Sequence, residues 1–529
     1  MFKNTPLWPV LLIALALRFP GWFTQDQKSK YELFEQDEFQ YVEMAVSFLQ
    51  ELDASLFTDW EVEKYIYNVR GFGIQMGWLA YFYHKTTGAE LDAATLIMIG
   101  RGLATAYALL LIVLVYRITR FLFQDRNVAW LAALLLAIFD LNVTYSHYGI
   151  PAISYVFWSY LTLFLLVKWY DVLAQHAAWK WPKWWLSVAI PFAAAATFAT
   201  KFDFIPVLMA ALSLLVLVYQ KQVGGWKMLG FALGFAMLWV CFFALLTAFT
   251  LSFEEVRHSF DYLYRQNKDV IEQDHHLLYN PFLYLMAIIA GSSLPVFVAA
   301  VYGKLDLVRT RKHQASIFAF VFFLIFLALE FGVRWNIDTP FVRRVNIFLP
   351  AIAILGAYGG MAFAGKWGKK AKLIIGLIIA YTLAITLCGQ YNAWNDTRYR
   401  ARTYLNTQHP TAKVCYSYYV RIPGMPTPYL KKEADLLLLH ETYYGRYWKY
   451  FASPFQYPPE CCEEVYHCIS GEAECLFYQN LLAGNDKEFE LLKIIPTLEV
   501  MPERLFYKYL FGSYETFLGD VRIYRRKTN

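Results

Sequence analysis

The sequence predicts a polytopic α-helical membrane protein that ends in a small extracytoplasmic mixed α/β domain. Three observations carry that prediction. Of 529 residues, 58% are hydrophobic and 19% aromatic, where soluble domains run at roughly 45–50% apolar. Apolar runs of about 18–24 residues recur from residue 5 to residue 390, each long enough to take a helix across about 30 Å of hydrocarbon. Beyond residue 390 the hydropathy falls to that of an ordinary soluble domain. A buried core helix can imitate one such run but not a series of them, which excludes a large soluble α-protein.

The spans that fit are 5–22, 95–118, 127–145, 154–171, 184–200, 203–220, 227–251, 282–303, 315–333, 342–364 and 373–390, about eleven crossings. Lys and Arg concentrate in cytoplasmic loops. Four basic stretches therefore belong inside: Arg117, Arg120 and Arg126; Lys221 with Lys227; Lys304, Arg309, Arg311 and Lys312; and Lys366, Lys369, Lys370 and Lys372. This places the N-terminus inside and the C-terminus outside. Segment 71–86 is also apolar, but counting it as a crossing would move Arg117 and Arg120 outside, so it reads as an interfacial or half-entering helix. The first run lacks a small-residue cleavage site and reads as an uncleaved span.

Two outward parts are more than turns. Loop 23–94 is rich in acids and aromatics, and Val42, Ala45, Val46, Leu49 and Leu52 recur near helical spacing, which predicts an amphipathic helix over 39–52. In the tail 391–529, the stretch 433–439 and the end 520–526 read as strands with helices between them. Cys241 and Cys388 fall in spans, where a thiol behaves as a small apolar group. Cys415, Cys461, Cys462, Cys468 and Cys475 lie in the tail, where an oxidising compartment permits disulfides. Their spacing matches no zinc pattern, and pairing does not follow from it. The net charge of +6 is accounted for by the basic loops and implies no nucleic acid. No nucleotide-binding Gly-rich loop is present.

An acidic pair, Asp37-Glu38, follows the first span. At the mouth of a helix bundle such a carboxylate can serve as general base toward a hydroxyl or amine. It can also hold a divalent cation against a phosphate. A solvated acidic loop has the same composition.

A series of ordered landmarks follows. Tyr41 and Ala45 lie on the helix after the acids, and an interfacial segment ends in Gly88. Arg101 stands early in the next span, Ser146-His147-Tyr148 follows the third, and Thr200-Lys201 follows the fifth. His276, Pro281, Phe282 and Tyr284 open a later span that closes on Gly291 and Pro295, and Arg343-Arg344 precede a span with Pro350. In this order the chain resembles the GT-C superfamily of membrane glycosyltransferases, and most the branch of protein O-mannosyltransferases and lipid A aminoarabinose transferases. The resemblance implies a multi-pass plasma (inner) membrane enzyme that takes a sugar from a polyprenyl-phosphate carrier on the outer face. It further implies Asp37 as catalytic base with Glu38 beside it. The carrier phosphate would be met by Arg70, Arg101, Lys201, Arg343 and Arg344, and the substrates by Tyr41, His147, His275 and His276. Basic residues at span ends also snorkel to head groups, so each has a plainer role available. The acceptor implied is a lipid, a glycan or a protein. No cofactor is required, although a divalent cation is compatible.

One departure from the family pattern concerns the second outer loop. The family's acid there is absent from Ser146-His-Tyr-Gly-Ile-Pro-Ala-Ile-Ser154, and its Arg is His147. Asp140 is the nearest acid. Three alternatives to an enzyme of this kind stay open. A transporter would show paired repeats and broken midplane helices. A lipid-linked glycan polymerase or ligase would not put an acidic pair just after the first span. A non-catalytic envelope-assembly protein is compatible with the missing acid.

Overall fold

A computed structural model describes residues 5–19, 37–58, 70–175, 184–201, 225–247, 279–310, 342–366, 368–416, 425, 429–441, 474–511 and 519–527. The chain forms two compact units, Met1–Phe19 with Gln40–Leu383, and Pro20–Phe39 with Ala384–Asn529.

The first unit is helical. Its elements are α1 (Trp8–Arg18), α2 (Asp37–Leu52, most of which falls in this unit), α3 (Gly71–Thr87), α4 (Ala93–Phe123), α5 (Arg126–Ala137), α6 (Asp140–Tyr145), α7 (Ser154–Gln175) and α8 (Trp184–Thr200). There follow α9 (Gly225–Leu246), α10 (Tyr279–Ser292), α11 (Leu294–Thr310), a 3-10 turn (Val342–Ile347), α12 (Leu349–Gly365) and the first part of α13 (Ala371–Trp394). Local chemistry sets several ends. Asp92 caps α4 by accepting from the Thr95 amide at 2.8 Å, and Asp125 caps α5 by accepting from the Asn127 amide at 2.7 Å. Gly88 ends α3 in the left-handed region at φ 69°.

Among the described residues, three helices are long and apolar enough to cross a membrane: Ala93–Phe123, Val345–Gly365 and Ala371–Gln408. The pair Tyr284–Ser292 and Leu294–Arg309, bent by 108°, forms either a fourth, broken span or a re-entrant loop. The run 282–303, read as a span from the sequence, is formed by these two helices and the bend between them. Ser293 breaks it with φ 80°, and its hydroxyl meets Thr382 Oγ1 at 2.8 Å. The run 127–145 likewise divides into α5 and α6 around Phe139, whose extended backbone (ψ 125°) interrupts the helix. The spans placed at 203–220 and 315–333 lie outside the described residues.

Backbone proximity holds several crossings. A Cβ on Gly359 would lie 1.9 Å from the Ala299 carbonyl oxygen, and one on Gly303 would lie 2.5 Å from that of Leu355, so α11 and α12 touch backbone to backbone. Segment 71–86 is the helix α3, and Gly73 and Gly77 open its face to Met44, Ala45 and Phe48 of α2.

The second unit is built on a four-stranded sheet of order β1-β2-β4-β3, with β1 (Val414–Tyr416), β2 (Leu436–His440), β3 (Phe489–Ile495) and β4 (Val521–Arg526). β1 and β2 are parallel, whereas β4 is antiparallel to both β2 and β3. Strand β2 is buried along its whole length, which matches its uninterrupted leucine run. Helix α14 (Thr397–Gln408) supplies Ala401 and Leu405 to the core. Helices α15 (Glu474–Ala483) and α16 (Pro502–Phe511) complete the unit. Cys415 on β1 is disulfide-bonded, and Cys461, Cys462 and Cys468 lie outside the described residues.

His440 ends β2 in a buried ionic region. Burial, and then the Arg398 guanidinium, push its imidazole down to about 4, against raising contributions from Asp396, Glu441 and Asp520. The sign follows from linkage. Below the ordinary value of 6.5 the unfolded chain binds a proton that folded His440 refuses, so stability is full above pH 6.5 and is lost as pH falls toward 4. The expected slope is at most about 1.4 kcal/mol per pH unit. Melting of the full chain in nanodiscs, followed from pH 7.5 to 4.5, checks this. His440→Gln should flatten the profile, and an unchanged profile removes His440 as its source.

Candidate functional site

The acidic pair opens α2: Asp37 is its first residue and Glu38 its second, and Glu38 is buried. One turn on, Tyr41 is buried with its ring edge-to-face on Phe72 of α3, centroids 5.6 Å apart. An acid at the start of a helix is favoured by the partial positive charge of the free amides there.

Two groups of basic and polar side chains form in the helical unit. The first lies where α3 begins and α8 ends. A Cβ on Gly71 would lie 2.3 Å from the Ala199 carbonyl oxygen, so the two backbones touch. Arg70 stands one residue before that contact and Lys201 two residues after it. Arg70 is mostly buried, and its Nη1 lies 3.5 Å from Glu51 Oε1. Lys201 Nζ lies 5.2 Å from the centre of the Tyr155 ring, within reach of the attraction between a cation and a ring face. Tyr41, Phe72, Arg70 and Lys201 thus belong to one neighbourhood, assembled from segments far apart in the chain.

The second group surrounds the end of α1 and the loop after α6. Arg18 is fully buried. Its Nη1 donates to the carbonyls of Ala14 at 2.9 Å and Ala137 at 3.1 Å, and its Nη2 donates to Asn142 Oδ1 at 2.6 Å. Buried His147 donates from Nε2 to the Leu17 carbonyl at 3.1 Å, which fixes its tautomer. Burial pushes its imidazole down to about 3, and the Arg18 and Arg101 charges act in the same direction against the raising Leu17 bond. His147 is therefore a neutral donor at physiological pH. Arg101 is fully buried on α4, beside the loop that carries His147; its backbone nitrogen would lie 3.4 Å from a Cβ on Gly149. Asp140, the nearest acid to the second loop, is buried at the start of α6.

Arg343 and Arg344 lie in the 3-10 turn Val342–Ile347. That turn packs against α6 and α10. Its end is fixed by Tyr160 of α7, whose hydroxyl donates to the Ile347 carbonyl at 2.7 Å and accepts from the Ala351 amide at 3.1 Å. His275 and His276 lie outside the described residues. Among the described residues, no three His, Cys, Asp or Glu side chains gather as metal ligands. Sequence reading passed over Arg18, Asn142, Tyr155 and Tyr160. Arg18 alone carried a signal, a charge late in an apolar run, whereas the others show their roles only through partners distant in sequence.

Residues 37–257 match the sequence model of the family described as dolichyl-phosphate-mannose-protein mannosyltransferase. The matched segment begins on Asp37 and includes Arg70, Arg101, His147 and Lys201. The resemblance drawn from the ordered landmarks is thereby borne out for this segment. No curated protein matches the chain as a whole sequence. Among solved structures it is similar to the archaeal oligosaccharyltransferase AglB from Archaeoglobus fulgidus in complex with an inhibitory peptide and a dolichol-phosphate. That likeness has 12% identity and a TM-score of 0.51, over 99% of this chain and 89% of that one. A second A. fulgidus oligosaccharyltransferase structure, with zinc and sulfate, gives 15% identity and a TM-score of 0.48, over 81% of this chain. The chain spans 58% of the length of that protein. ArnT from Cupriavidus metallidurans bound to undecaprenyl phosphate gives 14% identity and a TM-score of 0.47, over 79% of this chain and 85% of that one.

Proposed function

We propose that this chain is an inverting glycosyltransferase that moves a sugar from a polyprenyl-phosphate carrier to an acceptor at the outer face of the plasma (inner) membrane. The single observation that carries the reading is the extent of the family match: it starts on the acidic pair and takes in Arg70 and Lys201 of the first polar group and Arg101 and His147 of the second. The GT-C-like fold shared with AglB supports the architecture.

In this reading Asp37 removes a proton from the acceptor nucleophile, with Glu38 as its neighbour. The nucleophile attacks the anomeric carbon from the face opposite the leaving group, so configuration inverts. The polyprenyl phosphate leaves with the bonding electron pair, its charge met by Lys201 and Arg70, with Arg343 and Arg344 as further candidates. Arg101 and His147 serve the buried group that organises the second loop. Tyr41 lines the approach to the acids, and His275 and His276 contact substrate. A divalent cation is compatible with the acids but not required. The N-terminus lies in the cytoplasm and the tail outside it, an arrangement supported by the disulfide at Cys415. The sugar is a hexose or pentose, and the acceptor a lipid, glycan or protein.

The test is transfer by the purified full chain. Polyprenyl phosphate carrying a radiolabelled mannose, or a radiolabelled aminoarabinose, is supplied with solubilised envelope as acceptor. Label moving out of the carrier pool, with free polyprenyl phosphate released in equal amount, is the expected result. Absence of release with every carrier sugar tried defeats the proposal.

A further inference from the structure

Helix α16 in the tail turns its charged residues toward the protein. Arg504 and Glu503 are buried. Arg504 Nε lies 2.7 Å from Glu499 Oε2, and Lys508 Nζ lies 2.7 Å from Asp520 Oδ1 and 3.1 Å from Glu441 Oε2. Two of its apolar residues face away: Leu505 is 50% and Phe506 57% exposed. Just before the helix, Leu498 and Val500 are exposed as well. A helix that turns charges inward and leucine and phenylalanine outward gains nothing from water on its outer face.

Where this face lies is set by hydrogen bonds within the same unit. Asn392 of α13 donates from Nδ2 to the Leu498 carbonyl at 2.8 Å and to Glu499 Oε1 at 3.0 Å, and its Oδ1 accepts from the Leu498 amide at 2.7 Å. The Cys388 thiol also reaches the Leu498 carbonyl at 3.1 Å. Glu499 in turn holds Arg504, so α16 starts one carboxylate away from α13. The anchoring level on α13 is an interfacial one. Tyr391 and Trp394 are both exposed there, and such aromatics gather at the boundary of hydrocarbon and water. Along the same helix Leu373, Leu377 and Leu387 are exposed, and little of its apolar stretch is buried by protein.

We infer that α16, with Leu498 and Val500, is a membrane-surface foot: the tail rests its outward apolar face in the head-group region of the outer leaflet next to where α13 emerges. The occupant is the bilayer, because the face is continuous with the lipid-facing end of a spanning helix. Helices of this composition lie in the plane of the interface with the apolar side down. The inference rests on reading α13 as a membrane span.

The experiment places the photo-reactive residue p-benzoylphenylalanine at Phe506, at Leu387 and at Tyr429 in the full chain, one at a time, in nanodiscs of phosphatidylethanolamine and phosphatidylglycerol. Tyr429 is exposed beside β1, on the sheet edge opposite β3, and its amide donates to the Val414 carbonyl at 3.0 Å. After illumination, mass spectrometry of the digested chain reads lipid adducts. Adducts at 506 and 387 with none at 429 are expected. An adduct at 387 without one at 506 overturns the foot and leaves the span standing. Loss of adduct at 387 removes the span, and the foot with it. Crosslinking of 506 to a second copy or another protein in place of lipid, or equal lipid labelling at 429, also overturns the inference.

Discussion

Asp37→Asn should lower transfer from the polyprenyl-phosphate donor by about 10²–10⁴-fold, the range attributed to a positioned general base. The substitution keeps the size of the side chain and removes its ability to take a proton. It should also spare the fold: Asp37 is the first residue of α2, and Asn nearly matches Asp in size and shape. Donor binding should persist, since Lys201 and Arg70 are untouched, so the loss belongs in kcat with KM for the donor nearly unchanged. Glu38→Gln should cost less in turnover and more in stability, because Glu38 is buried. Single-turnover release of labelled sugar, with a melting curve for each variant, separates these outcomes. Wild-type turnover in folded Asp37→Asn protein removes the base assignment. A large loss in Glu38→Gln alone transfers the role to its neighbour.

What the sequence made legible, and what it did not, follows from how local each feature is. Strand β2 could be read because four consecutive leucines after Ala434-Asp435 leave few alternatives to a strand buried on both faces. Segment 71–86 is helical, as its apolar run suggests, and only the placing of the basic residues near it sets it apart from the spans. The break at Ser293 was missed, although Gly291, Ser292, Ser293 and Pro295 stand together, because hydropathy averaged over a window is blind to one residue's backbone angle. The acidic pair was visible from its place after the first apolar run. The grouping of Arg70 with Lys201 was not, since it depends on Gly71 meeting Ala199 across the fold. The periodicity of α16 is likewise plain in sequence, but a helical wheel does not say which face turns inward. That became clear only from Glu441, Glu499 and Asp520, which draw the charged side toward the protein.

The largest structural effect is expected at Arg18, which no motif singles out. Its guanidinium joins three elements: Ala14 of its own helix, Ala137 at the end of α5 and Asn142 on α6. Its side chain is closed to solvent, so its removal would leave the Ala137 carbonyl and Asn142 Oδ1 buried without this donor. Replacing it by Met, which fills similar space, should therefore destabilise the chain by about 2–4 kcal/mol, the sum of two or more hydrogen bonds to a charged donor moderated by the apolar gain. Lys at the same position keeps the charge but lacks the planar fork, and should recover only part of the loss. The consequence reaches function through the end of α1, where His147 also binds the Leu17 carbonyl. In sequence, residues 20–36 separate this anchored end at Phe19 from Asp37. If Arg18 serves stability alone, transfer per folded molecule should be unchanged in Arg18→Met at temperatures well below its melting point. If it also fixes where that segment starts, transfer should fall further than the folded fraction does, and Arg18→Lys should restore both together. Melting curves and single-turnover rates on the same nanodisc samples decide between the two. An unaltered melting temperature in Arg18→Met contradicts the bonding scheme itself.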